Sequence, residues 1–262
     1  MLKNIFWSVI VLVALIVLYF LVWPVPVSPV AWESPPDPGY TGPFAVNERL
    51  KGLETLPIAG NHGPEDIALD AQGRIYAATH EGNIVRISAD GAHAEIWVET
   101  GGRPLGIDFD AKGHLIVADS FQGLLSISPA GKITKLTTEA DGIPIRYADD
   151  VDVAADGKIY FSDASTKFGA KESGGTYEGS LLDLIEHGGH GRLLVYDPAT
   201  GETKTLLDGL NFANGVAVTH DQKDTDGTYP INTSVTETED YLYIGSLVAP
   251  VLGRLQKTKV GL

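Results

Sequence analysis

The sequence predicts an all-β protein of the β-propeller type, carried behind an N-terminal transmembrane helix. Three observations lead there. A sequence pattern recurs at a spacing of about 40 residues. Glycines keep a fixed register within that pattern. Ahead of it, the 19 residues from Ile5 to Trp23 are apolar except for Ser8.

The N-terminal run comes first in the chain. Nineteen helical residues span about 28 Å at 1.5 Å per residue, enough to cross the hydrocarbon layer of a bilayer. Lys3 precedes the run, Glu33 is the first charge after it, and Trp7, Tyr19 and Trp23 sit near its ends. Aromatic rings favour the headgroup zone, and a lone flanking lysine favours a cytoplasmic N-terminus. That orientation puts the rest of the chain on the periplasmic, extracellular or lumenal side. A cleaved signal peptide is the competing reading, but its apolar region should be shorter and end in small residues. Here the run ends Leu21-Val22-Trp23-Pro24, which favours a retained anchor at residues 1–23.

Residues 24–46 carry seven prolines (Pro24, Pro26, Pro29, Pro35, Pro36, Pro38 and Pro43). Such a segment is extended and fairly stiff, a spacer between membrane and domain. The propeller domain is expected over residues 47–262.

Within it, Pro64–Tyr76, Pro104–Ile116 and Ala148–Tyr160 align, and a fourth copy opens at Ala213. Each copy reads as an alternating strand, a turn closed by glycine, and a second strand. The turn glycines are Gly73, Gly113 and Gly157, and a second set is Gly91, Gly131 and Gly201. In the first two copies the pair is 18 residues apart, and in the third 44, an excess of 26. The excess marks an insertion at about 164–190. Its Ser180–His187 stretch (Ser-Leu-Leu-Asp-Leu-Ile-Glu-His) reads as a short helix, a lid or rim element outside the blade. Natural propellers close with four to eight blades. Three copies, the opening of a fourth, a polar stretch at 221–236 and a strand from Tyr241 therefore predict a small or incomplete ring.

Composition narrows the function. The chain has 34 acidic and 19 basic residues, a formal charge of −15. That balance repels phosphate backbones, and nucleic-acid binding is not expected. With no cysteine, disulfides, thiolate metal sites and cysteine nucleophiles are excluded.

Aligning the copies brings one column into view: Glu65, Leu105, Asp149 and Asn214. Inner strands of a propeller line its central channel, so this column converges on the axis. Two carboxylates and an amide are hard oxygen donors that suit Ca²⁺ or Mg²⁺, with Ca²⁺ preferred for a loose set. The competing reading is turn chemistry, since Asp and Asn cap turns and Asn214-Gly215 is a common turn pair. Asp66 and Asp150 fill the next column, where Gly106 and Gly215 replace them, which points to turn geometry. His62, three residues before Glu65, is a candidate acid–base group, although such a histidine is more often an ordinary loop residue. His187 and His190 fall in the insertion.

The stretches Gly63–Asp66, Gly102–Gly106, Tyr147–Val153, Ile159–Ser165, Asn211–Ala217 and Tyr241–Leu247 resemble one known group. It is the strictosidine-synthase-like branch of the gluconolactonase/SMP-30 superfamily, nearest to its adipocyte plasma membrane-associated protein-like members. The resemblance implies a six-bladed propeller with a central Ca²⁺ site, in a family that includes lactonases and arylesterases. It also implies that Glu65 and Asn214 are metal ligands, with Asp149 on or beside the metal and a small ester or lactone as substrate.

Two departures accompany it. The family's Pro-Asp-Gly or Pro-Asp-Asn motif, source of a further ligand and the proposed base in lactonases, does not occur, and about two blades are missing between Gln222 and Gly227. Strictosidine formation uses a glutamate about ten residues before the tyrosine of Tyr-Ile-Gly. The corresponding residue is Thr233, with Glu237 and Glu239 out of place, so that reaction is disfavoured. A membrane-anchored Ca²⁺-dependent ester or lactone hydrolase is the expected function. A non-catalytic membrane-displayed binding module, or a truncated inactive family member, is the alternative.

Overall fold

The computed structural model describes residues 2–31, 33–34, 36–37, 39–42, 45–46 and 55–218, together with the backbone of three later strands. Pro35, Pro38 and Pro43 of the leader, and residues 219–231 where the Pro-Asp-Gly motif was sought, lie outside the described residues.

Helix α1 runs over Leu2–Val22, and Lys3–Val22 is long and apolar enough to cross a membrane. None of that stretch is buried against the rest of the chain. Three four-stranded antiparallel sheets follow, each with its strands in sequence order. The first comprises β1 (Ile67–Leu69), β2 (Ile75–Ala78), β3 (Asn83–Ile87) and β4 (Ala94–Glu99). The second comprises β5 (Pro104–Phe109), β6 (Leu115–Asp119), β7 (Gly123–Ile127) and β8 (Ile133–Thr137). A two-stranded ribbon, β9 (Glu139–Ala140) with β10 (Ile143–Pro144), leads to the third. That sheet holds β11 (Ala148–Val153), β12 (Ile159–Asp163), β13 (Gly191–Asp197) and β14 (Glu202–Leu210). The backbone of β15 (Asn232–Glu237), β16 (Tyr241–Ser246) and β17 (Gly253–Gln256) forms a further three-stranded sheet. These meander sheets are propeller blades.

Alternation of side chains along each strand explains how the blades stack. In β6, Leu115 and Val117 enter a core with Ile84, Val98 and Tyr76 of the first blade. The intervening Ile116 and Ala118 enter a second core with Val151, Phe161 and Leu194 of the third. Successive residues point to opposite faces of a sheet, and both faces of the middle blade are covered. The run Leu115–Ala118 is therefore wholly apolar and buried.

The predicted turn glycines close their hairpins with positive φ, from 74° to 88°, a backbone region that side chains with a Cβ avoid. Inner strands β1, β5 and β11 pack side by side, as strands around a common axis do. The chain leaves β12 at Asp163 and enters β13 at Gly191, and the connecting segment carries helix α2 (Thr176–Glu186). Ala148 pairs with Asp163, so this segment emerges at the same end of the blade as the start of β11.

Candidate functional site

The residues that open the inner strands meet at one end of the sheets. Glu65, Asp149 and Asn214 line a cavity of about 160 Å³, together with Asp66, Gly106 and Asp150. The structure thus brings together the three polar residues of the sequence column. The loops that carry them are held by carboxylates at the ends of the second strands. Asp119 Oδ1 accepts from the backbone N–H of Arg103 at 3.0 Å and of Phe121 at 3.0 Å. Asp163 Oδ1 accepts from Tyr147 N–H at 2.9 Å, and its Oδ2 accepts from Arg192 Nη2 at 2.6 Å.

Asp66 and Asp150 do more than shape turns. Asp66 Oδ2 accepts from the N–H of Ile107 at 2.8 Å, tying the first inner strand to the second. Asp108 Oδ2 accepts from Val153 N–H at 2.9 Å, tying the second to the third. Asp150 and Asp152 accept from Val216 and Val218 at 2.6 Å each, seating residues 213–218 beside β11. Gly106 leaves a gap in this ladder because the strands approach closely there. A Cβ on Gly106 would lie 2.5 Å from Asp150 Cα, too near for any side chain.

Asp149 is 4% exposed. Burial pushes its carboxyl well above the usual range, and the charges of Glu65 and Asp150 add to the push, while Arg103 opposes it. Burial also raises Asp150, to about 6, against the N–H groups of Val216 and Val151. Asp66 is raised by burial too. No protein group among the described residues donates a hydrogen bond to the Asp149 carboxylate.

The nearest cation is Arg103, which sequence reading gave no role. It is buried, donates to Pro104 O at 2.8 Å, and lies 3.8 Å from Glu65 Oε2. Its Nε is buried without a partner among the described residues. Arg103, Tyr147 and Phe212 stand two residues before Leu105, Asp149 and Asn214, a second layer of the repeat next to the column that supplies the cavity. Tyr147 and Phe212 meet edge to face at 5.2 Å, and Tyr147 Oη donates to Thr176 O of α2 at 2.8 Å. A polar or aromatic residue at the same offset in successive repeats is the signal that would have found this layer.

His62 is not part of the site. Its side chain is 72% exposed, its Nδ1 is bonded to Glu81, and its ring lies over that of His80 at 4.8 Å. It is not among the residues that line the cavity. His187 is half-buried just beyond α2, and His190 bonds Glu186 there at 2.7 Å.

The donor set can be tested for a metal. Among the described residues no three Asp, Glu, His or Cys side chains converge as a metal cluster. The candidate set reaches three only through the amide of Asn214. Its oxygens, the absence of a hydrogen-bond donor to Asp149 among the described residues and the size of the cavity fit a hard cation that keeps several water ligands. They do not fit a thiolate- or imidazole-bound metal.

Stacked meander blades with an acidic pocket at the start of their inner strands define a β-propeller protein with an axial site. The model for the N-terminal region of strictosidine synthase-like proteins matches residues 42–87, and that for strictosidine synthase matches residues 149–225. The Arabidopsis thaliana protein strictosidine synthase-like 4 is 42% identical over 187 residues, covering 69% of this chain and 49% of the relative. The rat (Rattus norvegicus) adipocyte plasma membrane-associated protein is 30% identical over 213 residues, covering 75% and 54%. The chain belongs to the strictosidine synthase-like superfamily. It spans about half the length of the curated relatives it matches. Among solved structures, a gluconolactonase from Xanthomonas campestris matches with a TM-score of 0.48 and 15% identity, over 73% of this chain and 57% of that one.

Proposed function

We propose that this protein is a membrane-anchored, Ca²⁺-dependent ester or lactone hydrolase, its propeller on the non-cytoplasmic side. The observation that carries the reading is the buried Asp149 carboxylate, facing a cavity it shares with Glu65 and Asn214 and lacking any protein donor among the described residues. The ester or lactone class comes from the family resemblance.

In this reading Glu65, Asp149 and Asn214 hold the ion. A bound Ca²⁺ supplies Lewis acidity, polarising a carbonyl and acidifying water. Arg103, whose Nη2 lies 3.8 Å from Glu65 Oε2, offsets part of the negative charge gathered there. Tyr147, Phe212 and Leu105 pack together in an apolar cluster beside the strand starts that carry these residues. Asp149 is the carboxylate placed to receive a proton. His62, bonded to Glu81 and outside the cavity lining, takes no part.

The test is hydrolysis of phenyl acetate and simple lactones in excess Ca²⁺ and in chelator. Activity should require Ca²⁺ and fall on the order of 10²-fold or more in Glu65→Gln and Asp149→Asn. Rates indifferent to both sink the hydrolase reading. The absence of a Pro-Asp-Gly motif favours a second reading: a non-catalytic binding module or a truncated inactive member. A pull-down that recovers a partner equally well with Glu65→Gln would support it.

A further inference from the structure

Helix α2 is built inside out. Its buried residues are Gly179, Asp183 and Glu186, the two carboxylates being 1% and 3% exposed. Its exposed residues include Tyr177, Leu181, Leu184 and Ile185, with Leu184 and Ile185 60% and 61% exposed. At 100° per residue these four fall within an arc of about 100°, opposite the buried face. A surface helix normally shows the reverse pattern.

Each buried carboxylate has a polar partner, although Asp183 Oδ1 has none among the described residues. Ser165 Oγ donates to Asp183 Oδ2 at 2.5 Å, and Lys167 Nζ reaches Glu186 at 2.6 and 2.7 Å. No described residue covers the apolar arc.

Its place relative to α1 supplies the occupant. The leader is fastened to the C-terminal end of α2: Ser28 N–H donates to Glu186 Oε2 at 2.8 Å, and Val30 N–H donates to Glu186 O at 2.9 Å. Only five residues, hence six Cα–Cα steps, separate Val22, the end of α1, from Ser28. Even fully extended they reach about 20 Å, so a membrane that holds α1 lies within that distance of α2.

We propose that α2 is a second membrane contact, lying in the interface of the same bilayer with Tyr177, Leu181, Leu184 and Ile185 immersed. The inference rests on the anchoring reading of α1. An interfacial helix buries its apolar side about 5–10 Å into the headgroup boundary. With a chain charge of −15, attraction to anionic lipid does not drive the contact. It should form on zwitterionic lipid and persist at high salt. Because α2 leaves the propeller at the end where the cavity opens, docking turns that end toward the lipid surface.

The chain has no cysteine, so single-cysteine labelling is direct. Leu12→Cys in α1, Leu184→Cys and Ile185→Cys in α2, and Lys132→Cys at the far end of the second blade would each carry a fluorophore. The full chain is then reconstituted in phosphatidylcholine bilayers containing nitroxide lipids. Probes at 184 and 185 should lose roughly half or more of their emission to a nitroxide at shallow depth, and the probe at 132 should lose none. Quenching at 12 without quenching at 184 or 185 overturns the proposal and leaves the anchor standing. No quenching at 12 removes the anchor, and the proposal with it. Protection from aqueous iodide at 184 and 185 without lipid quenching also overturns it, because protein then covers the arc.

Discussion

In the blades the side chains turned inward are those of Leu115, Ile116, Val117 and Phe161, whereas in α2 they are those of Asp183 and Glu186. The blade residues meet other apolar side chains across both faces of a sheet and are stabilised by leaving water. The α2 carboxylates meet Ser165, Lys167 and His190, and the apolar residues are left outside. The difference teaches that burial here follows the available partner. A core that can offer apolar contact on both sides takes apolar residues, and a rim already holding Lys167 takes acids.

The contrast extends to ionisation. Glu186 is held down at about 2, chiefly by its hydrogen bond with Lys167 and then by the Ser28 N–H. Asp150, with backbone N–H groups and no cation bonded to it, is pushed up to about 6 by burial. Asp108, its counterpart between the second and third blades, is likewise raised by burial, with Asp152 adding to the shift. Glu186 and Asp150 therefore respond to acid in opposite senses, while Asp183 of α2, raised by burial, sides with Asp150. A carboxyl lowered in the folded state contributes stability above its unfolded value, here 4.5, that is lost as pH falls toward 2. A carboxyl raised in the folded state binds a proton that the unfolded chain does not. Its penalty is relieved as pH falls through about 6 toward 3.8.

The largest expected effect comes from the blade core. Phe161→Ala removes a fully buried ring and should cost about 3–5 kcal/mol in denaturant unfolding. A loss below about 1 kcal/mol would mean that the core between the second and third blades is not packed as described. A smaller effect concerns the blade bridges. In chelator, lowering pH from about 7.5 to 5.5 should raise the melting midpoint, and Asp150→Asn should shrink that gain by on the order of a degree or two. An unchanged gain in the variant would show that Asp150 is not the strained carboxyl. The smallest effect sharpens the comparison from the other side. Leu184→Ser, on the exposed arc of α2, should change stability in detergent by no more than about 0.5 kcal/mol.

How far the sequence shows all this depends on whether a residue's partner repeats along the chain. The blades are legible because strand alternation and turn glycines recur in register, as Gly73, Gly113 and Gly157 do. Glu65, Asp149 and Asn214 are legible as a group for the same reason, since a repeat column maps onto a ring around an axis. Asp66 and Asp150 were read as turn formers because their partners are backbone N–H groups of the next blade, which carry no sequence signature. Arg103 escaped notice because its layer holds Arg, Tyr and Phe, three chemistries that share a position and not a composition. His62 stands three residues before Glu65, but its ring is turned to Glu81 and His80, partners that proximity in sequence does not report. The α2 helix was visible in Ser180–His187, but which of its faces is inward depends on Lys167 and Ser165, and no periodicity reports that.

The central claim is that the cavity of Glu65, Asp149 and Asn214 holds a hard divalent cation, and a thermal melt of the full chain in detergent tests it most directly. A ligand that binds only the folded state raises its midpoint. Excess Ca²⁺ should raise the midpoint by several degrees over chelator, and Glu65→Gln should abolish the difference. Coincident melts of the unaltered chain in Ca²⁺ and in chelator would contradict the account.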